Sequence, residues 1–234
     1  MVRRARKIPG HRRFARGLAA GLALLVALTW GLVLSLRWLD PPVTSFMLQD
    51  TSGRAPVLYE WVPWSDLGLA AALAVVAAED QRFAQHFGVD LKSVRDALAA
   101  RRAGKPLRGA STITQQVAKN LFLWPARSFL RKGIEAYFAL LIEVSWPKQR
   151  ILEMYLNIVQ VGPGIYGMGA ASQFFFARPA AQLTDPQAAL LAAVLPNPTR
   201  LRADQPTAYL RERQGWIVSQ MQRLRREQWW LLLN

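Results

Sequence analysis

Hydrophobic and polar positions divide this chain into one unbroken apolar stretch near its start and a series of interrupted ones after it. Gly17 to Leu36 runs without a charge. As a helix rising about 1.5 Å per residue, it is long enough for a hydrocarbon core of about 30 Å. Pro41, Pro42, Pro56 and Pro63, with Gly53 between them, predict an extended linker over 37–64 with a short strand around Val57–Trp61. Leu67 to Ala78 is apolar on every side, the mark of a buried helix. Asp90–Ala103 is modestly amphipathic and runs into a basic loop, 101–109, that holds Gly104 and Pro106. Thr112 with Gln115 is a capping box and opens the next helix. Ser128–Val144 follows, with Leu130, Ile134, Tyr137, Phe138, Leu141 and Ile142 at helical spacing. Pro147 leads a helix to about Ile158, and a link between Gly162 and Gly169 precedes Ala170–Phe176. Thr184 and Gln187 form a second capping box ahead of Ala188–Leu195, and a last helix covers about Pro206–Trp230. The pattern predicts a mostly α chain: a membrane helix over 17–36, the linker, and a helical domain over 65–234.

Charge then gives the chain a direction. It carries 30 Lys and Arg against 15 Asp and Glu, a net +15. Arg3, Arg4, Arg6, Lys7, Arg12, Arg13 and Arg16 precede the apolar stretch with no acid among them. The positive-inside rule therefore predicts a cytoplasmic tail over 1–16 and everything after Trp38 outside. Trp30 and Trp38 fall toward the outer end, where amphipathic rings favour the interface. A cleaved signal peptide fits less well, because its apolar core is shorter and Arg37–Pro42 makes a poor cleavage site. The remainder of the chain stays basic, which suits an anionic partner such as nucleic acid, anionic lipid or pyrophosphate. There is no cysteine, hence no disulfide, thiolate nucleophile or cysteine metal cage. With His11 in the tail and His86 the only other histidine, neither a histidine metal site nor a Ser/His/acid triad can be assembled.

Three polar groups interrupt the apolar helices. Glu79-Asp80 closes the buried one, where the macrodipole disfavours negative charge. Gly109–Asn120 (GASTITQQVAKN) brings hydroxyls and amides to a helix start, whose N–H groups and partial positive charge suit a phosphate. Lys119 lies four after Gln115 and three after Gln116, on the face they share. Arg127, Arg131 and Lys132 gather around Glu135, which is four after Arg131 and three after Lys132. The plain alternatives are a capped surface helix for the first of these helices and solvated ion pairs for the second, for Glu143, Glu153 and Lys148 as well. His86 reads as a structural histidine. Two glutamates among several cations point further, to chemistry at a glycosidic centre with a phosphate leaving group.

Four motifs occur in order: Glu79-Asp-Gln-Arg-Phe83 with His86 and Gly88, Gly109-Ala-Ser-Thr-Ile-Thr-Gln-Gln116, Arg131-Lys-Gly-Ile-Glu135, and Lys148-Gln-Arg-Ile-Leu-Glu-Met-Tyr-Leu-Asn157. Together they resemble the family 51 glycosyltransferases, of the monofunctional peptidoglycan transglycosylase kind, over about residues 60–205. The resemblance implies a lysozyme-like α-helical domain that polymerises lipid II into β-1,4 glycan with inversion and release of undecaprenyl pyrophosphate. It implies Glu79 as general base, with Lys119, Arg127, Arg131 and Lys132 on the pyrophosphate and Ser111, Thr112, Gln115 and Gln116 lining the cleft. Glu135 would orient the cations or help hold a divalent metal, Mg or Mn; nothing in the sequence requires a cofactor. The implied partners are lipid II, the growing strand, the membrane and other cell-wall or division proteins, with the domain on the periplasmic side of a bacterial inner membrane and no nucleic acid. Apolar residues between Phe83 and the basic loop are expected to touch the bilayer.

Two departures stand out: Phe175-Phe176-Ala177-Arg178 where the family usually has Tyr-Phe-Gly-Lys, and Gly169 where an acid is common. No Ser-x-x-Lys or Lys-Thr-Gly pattern of a transpeptidase is present. A lysozyme-like lytic glycosidase and an inactive assembly scaffold remain as other readings. The cations weigh against the first, since a neutral leaving group needs a proton donor rather than positive side chains.

Overall fold

The computed structural model describes residues 10–102, 104, 111–126 and 128–233. The chain opens with α1 (Gly10–Ser35), then α2 (Ser45–Leu48), β1 (Leu58–Tyr59), α3 (Trp64–Leu67) and α4 (Leu69–Glu79). Next come α5 (Leu91–Arg102), α6 (Ile113–Phe122), α7 (Phe129–Ser145) and α8 (Lys148–Ile158). After β2 (Gln160–Gly162) and β3 (Ile165–Tyr166) the chain closes with α9 (Gly167–Phe176), α10 (Asp185–Ala193) and α11 (Ala208–Arg226). The fold is mostly helical, and Phe14–Ser35 is one helix long and apolar enough to cross a membrane.

Helix starts follow their caps. Thr112, Ser128, Thr184 and Thr207 each accept a backbone N–H from three residues on, which satisfies one donor the helix leaves open. Two packed groups make the core. In one, α4 lies against α10 and α11; in the other, α6 lies between α7 and α8. The small side chains of Ala71, Ala72, Ala74 and Ala77 on α4, and of Ala188, Ala189, Ala192 and Ala193 on α10, are all buried and let the two helices approach closely.

The segment expected as an extended linker is packed instead. Thr44 caps α2, and Ser45 Oγ donates to Leu123 O (2.7 Å). β1 runs parallel to β3, Leu58 opposite Ile165 and Tyr59 opposite Tyr166, while β2 pairs antiparallel on the other side of β3. Buried Asn157 clamps the strand exit: its Oδ1 accepts from Val62 N (2.7 Å) and its Nδ2 donates to Val62 O (2.8 Å). Glu153 Oε1 accepts from Trp64 N (2.8 Å). The fourth sequence motif thus braces the fold through these two residues.

Both departures from the family pattern have a structural setting. A Cβ on Gly169 would lie 2.4 Å from Val62 Cγ2, so an acid there would require that valine to shift. Ala177 is the C-cap of α9 at φ 51°, a left-handed conformation that glycine adopts with less strain.

The apolar helix is not loosely tethered. Thr29 Oγ1 and Tyr137 OH share a 2.7 Å hydrogen bond, Trp30 Nε1 donates to Ser145 Oγ (3.0 Å), and Trp146 Nε1 donates to Val33 O (2.8 Å). Beyond the helix end, Arg150 donates to Leu36 O and Asp40 Oδ1.

Candidate active site

Glu79 is carried by the last residue of α4 into the wall between two clefts. One, of about 580 Å³, includes Asp80, Arg82, Asp90, Lys92, Ser93, Thr112 and Arg223 in its lining. The other, of about 680 Å³, is lined by Gln116, Lys119, Arg131, Lys132, Glu135, Tyr209 and Arg213 among others. Glu79 and Ser111 belong to both. Charge in the first cleft is nearly balanced, whereas the second sets four cations against two carboxylates.

The surroundings of Glu79 are mostly neutral. Gln116 Nε2 donates to its Oε2 (2.9 Å), and Tyr155 OH donates to Gln116 Oε1 (3.1 Å). Burial holds the Tyr155 phenol well above its usual pKa, with Glu79 and Asp80 adding to the effect, so it remains a donor. That donor decides which way the Gln116 amide points. Arg213 reaches Glu79 from α11 at 3.6 Å, and its Nε is buried without a hydrogen-bond partner among the described residues. Burial raises the Glu79 carboxyl above its ordinary value of 4.5, only partly offset by Gln116, Arg213 and Lys119. Such a shift brings a carboxylate nearer to the basicity a proton acceptor needs.

Lys119, in the last turn of α6, is held against the Phe46 ring, 5.2 Å from its centroid. Burial lowers its pKa, while Glu135 and Glu79 oppose the change. Glu135 is almost fully buried and gripped by two cations: Arg131 Nη1 donates to its Oε2 (2.7 Å) and Lys132 Nζ to its Oε1. Lys132 also donates to Ser111 Oγ (2.9 Å). Arg131 ties back to Ala126 O, ahead of α7. With both Glu135 oxygens taken, and no convergent group of three His, Asp or Glu among the described residues, the side chains present do not fit a protein-held metal.

The expected phosphate seat at the start of α6 is filled by the protein itself. Asp80 Oδ2 accepts from Ile113 N (3.0 Å), the Thr112 hydroxyl from Gln115 N (3.2 Å), and Gln115 Oε1 from Thr112 N (3.1 Å). Thr112 Oγ1 donates onward to Gly88 O (2.6 Å). Thr112 and Gln115 are therefore spent on the cap and Gln115 lines neither cleft, whereas Ser111, Gln116 and Lys119 do reach the cation cleft. Glu143 and Lys148 are not solvated either: their 2.8 Å pair is buried behind α6, where Glu143 also accepts from Thr114 (2.6 Å). His86 pairs with Asp80 at 2.9 Å, as a structural histidine does. Arg127 and the loop 105–110 lie outside the described residues. The sequence reading missed Arg213 and Tyr155. Tyr155 stood inside a quoted motif, but nothing local shows that its hydroxyl reaches Gln116.

A buried carboxylate with a raised pKa beside a cation-lined cleft, on a helical domain that follows a long apolar helix, is an arrangement suited to glycosyl transfer. The family model described as transglycosylase matches residues 48–222, and the chain belongs to that family. It is 50% identical over 218 residues to a biosynthetic peptidoglycan transglycosylase of Aeromonas hydrophila, covering 90% of this chain and 93% of that one. A protein of the same description from Stutzerimonas stutzeri is 50% identical over 209 residues, covering 87% and 86%. A third, from Pasteurella multocida, is 45% identical over 217 residues, covering 90% and 88%.

Proposed function

We propose that this chain is a peptidoglycan glycosyltransferase that polymerises lipid II, the disaccharide-pentapeptide carried on undecaprenyl pyrophosphate. The observation that carries the reading is the position of Glu79 between a cleft of balanced charge and one of excess positive charge. The acceptor sugar takes the balanced cleft, and Glu79 removes the proton from its 4-hydroxyl. The acceptor oxygen attacks the donor anomeric carbon from the face opposite the leaving group and forms the β-1,4 link. The C1–O bond breaks, and its electron pair leaves with the pyrophosphate. Lys119, Arg131, Lys132 and Arg213 neutralise that charge, the arginines able to bind it bidentately. Arg127 is assigned to the same group by the family resemblance. Glu135 keeps Arg131 and Lys132 in place.

In this reading residues 1–16 lie in the cytoplasm, 17–36 in the inner membrane and the domain from 65 onward in the periplasm, a direction supported by the positive-inside rule. A shared surface raises the effective concentration of a lipid-linked substrate at the enzyme. Polymerisation of purified lipid II by the wild type, lost in Glu79→Gln with the protein still folded, tests the reading. Release of soluble fragments from cell-wall sacculi without lipid II turnover would replace it with the lytic one.

A further inference from the structure

α11 lays one face along both clefts. Tyr209, Arg213 and Trp216 are spaced four and three residues apart, so they share a side of the helix. Tyr209 lines the cation cleft, Trp216 lines the balanced one, and Arg213 between them meets Glu79 at 3.6 Å. The two aromatics therefore stand one turn to either side of the residue that reaches the base, about 10 Å apart along the helix axis. Among the described residues, each is the one aromatic side chain in the lining of its cleft. Neither belongs to the core: Tyr209 is 54% exposed and Trp216 46%.

The helix holds both rings in register with the carboxylate. Leu210, Ile217, Met221 and Leu224 are buried on its other side, and α11 packs on α4 and α10. Seven residues beyond Trp216, Arg223 Nη2 donates to Gln81 Oε1 (2.8 Å), and Gln81 lies two residues after Glu79. Arg213 and Arg223 thus tie α11 to the end of α4 on both sides of the indole.

A single exposed aromatic is ordinary on a protein surface. Two on one face, one in each cleft and flanking the carboxylate, match a ligand with a flat apolar face on each side of the reacting bond. An N-acetylhexosamine of the gluco configuration carries its ring hydroxyls and amide equatorially. Its polar groups point outward around the rim, and a face of C–H groups is left to pack on an aromatic ring. The balanced cleft also offers polar groups for such a rim, in Gln85, Lys92 and Ser93. A peptide stem or a lipid tail lacks this combination of flat apolar face and polar edge.

We propose that Trp216 is the platform on which the acceptor N-acetylhexosamine stacks, and that Tyr209 serves the donor ring in the same way, so that α11 sets both sugars against Glu79. This rests on the reading of the balanced cleft as the acceptor seat and the cation cleft as the donor seat.

The test uses the full-length protein in detergent micelles, labelled with 5-fluorotryptophan. The chain has nine tryptophans, and the fluorine resonance of position 216 is assigned by its absence from Trp216→Phe. The probe is N,N′-diacetylchitobiose, a soluble β-1,4 disaccharide; the control is mannitol, which has hydroxyls but no ring face. Chitobiose should shift the resonance of 216 saturably and mannitol should not, in the wild type and in Glu79→Gln alike. In lipid II polymerisation, Trp216→Ala should raise KM roughly three- to tenfold, the scale of one stacked ring, with kcat little changed. Trp216→Phe should recover most of that loss, and Tyr209→Phe should outperform Tyr209→Ala, because the ring and not its polar atom is used.

A resonance at 216 that ignores chitobiose overturns the proposal, and so does a KM in Trp216→Ala equal to that of the wild type. Equal losses in Trp216→Phe and Trp216→Ala overturn it too, since the indole N–H would then be what matters. A resonance that follows detergent concentration instead of sugar places the indole against lipid, with the same consequence. In each of these cases, polymerisation of lipid II by the wild type leaves the enzyme reading standing. A saturable chitobiose shift in a protein that does not polymerise lipid II supports the sugar platform and removes that reading.

Discussion

Glu79 at the end of α4 and Glu135 in the second turn of α7 line the same cleft, yet their surroundings differ in kind. Glu135 is locked by two cations, one from the turn before it and one three residues away. Glu79 receives a neutral amide at 2.9 Å and a guanidinium no nearer than 3.6 Å. The first arrangement fixes a negative charge and holds Arg131 and Lys132 at the cleft, where the proposed mechanism brings the pyrophosphate. The second leaves a carboxylate desolvated and short of compensation, so its affinity for a proton rises. The proposed roles, positioning for Glu135 and proton transfer for Glu79, follow from what surrounds each acid.

The sharpest way to break this comparison is to neutralise each acid in turn. Glu79→Gln should lower polymerisation of lipid II by roughly 1,000-fold or more, the scale of losing a general base. Glu135→Gln should cost about 100-fold, with KM for lipid II raised, because the cations lose their anchor while the base remains. Equal losses in steady-state kinetics would show that the two acids do one job.

Next in size is the second layer. Tyr155→Phe frees the Gln116 amide to rotate, and should lower kcat by about five- to tenfold, the equivalent of one hydrogen bond. Rescue by no other change than restoring the hydroxyl, with the melting temperature little affected, separates this from a packing defect. The acidic limb of the kcat/KM profile should lie above the range of an ordinary carboxylate, since the proposed base acts ionised and its pKa is raised. Arg213→Gln should move that limb to still higher pH, as a cation that favours the charged form is lost. An unmoved limb would show that Arg213 does not tune the base.

The smallest effect concerns stability and has a definite sign. The folded state binds the Glu79 proton more tightly than the unfolded chain does. Its contribution is therefore complete below the ordinary value of 4.5 and is lost as pH rises through the elevated folded value. Near neutrality the ionised side chain is a cost, and Glu79→Gln should gain about 1 kcal/mol there. Chemical denaturation at neutral and acid pH checks it: the gain should vanish below pH 4.5.

Much of this was legible in residue order. The caps at Thr112 and Thr184, the helix start at Ser128, the long apolar helix, and the buried character of Leu67–Ala78 follow from spacing over a turn or two, where the relevant interactions are local. Glu79, Gln116, Lys119, Arg131, Lys132 and Glu135 were each visible as polar residues at helix ends, and the fold does bring them to one cleft. The start of α6 misled. Its sequence advertises open N–H groups, but Asp80, distant by the length of a helix and a loop, takes Ile113 N. Arg213 carried no signal because its relation to Glu79 exists only after α11 packs on α4.

The sequence alone determined the longer helices, the apolar N-terminal span and the chemical kinds of side chain available, since these depend on helical period, capping and charge among near neighbours. The tertiary structure decided which of two similar acids would be desolvated, which amide would face it, and which side of α11 would face the clefts. The short strand expected around Val57–Trp61 is present as β1, but its partner, Ile165 opposite Leu58, was set by the fold. Those outcomes rest on contacts between segments far apart in the chain. Their energies depend on burial and on the partners that packing supplies, which no local pattern records.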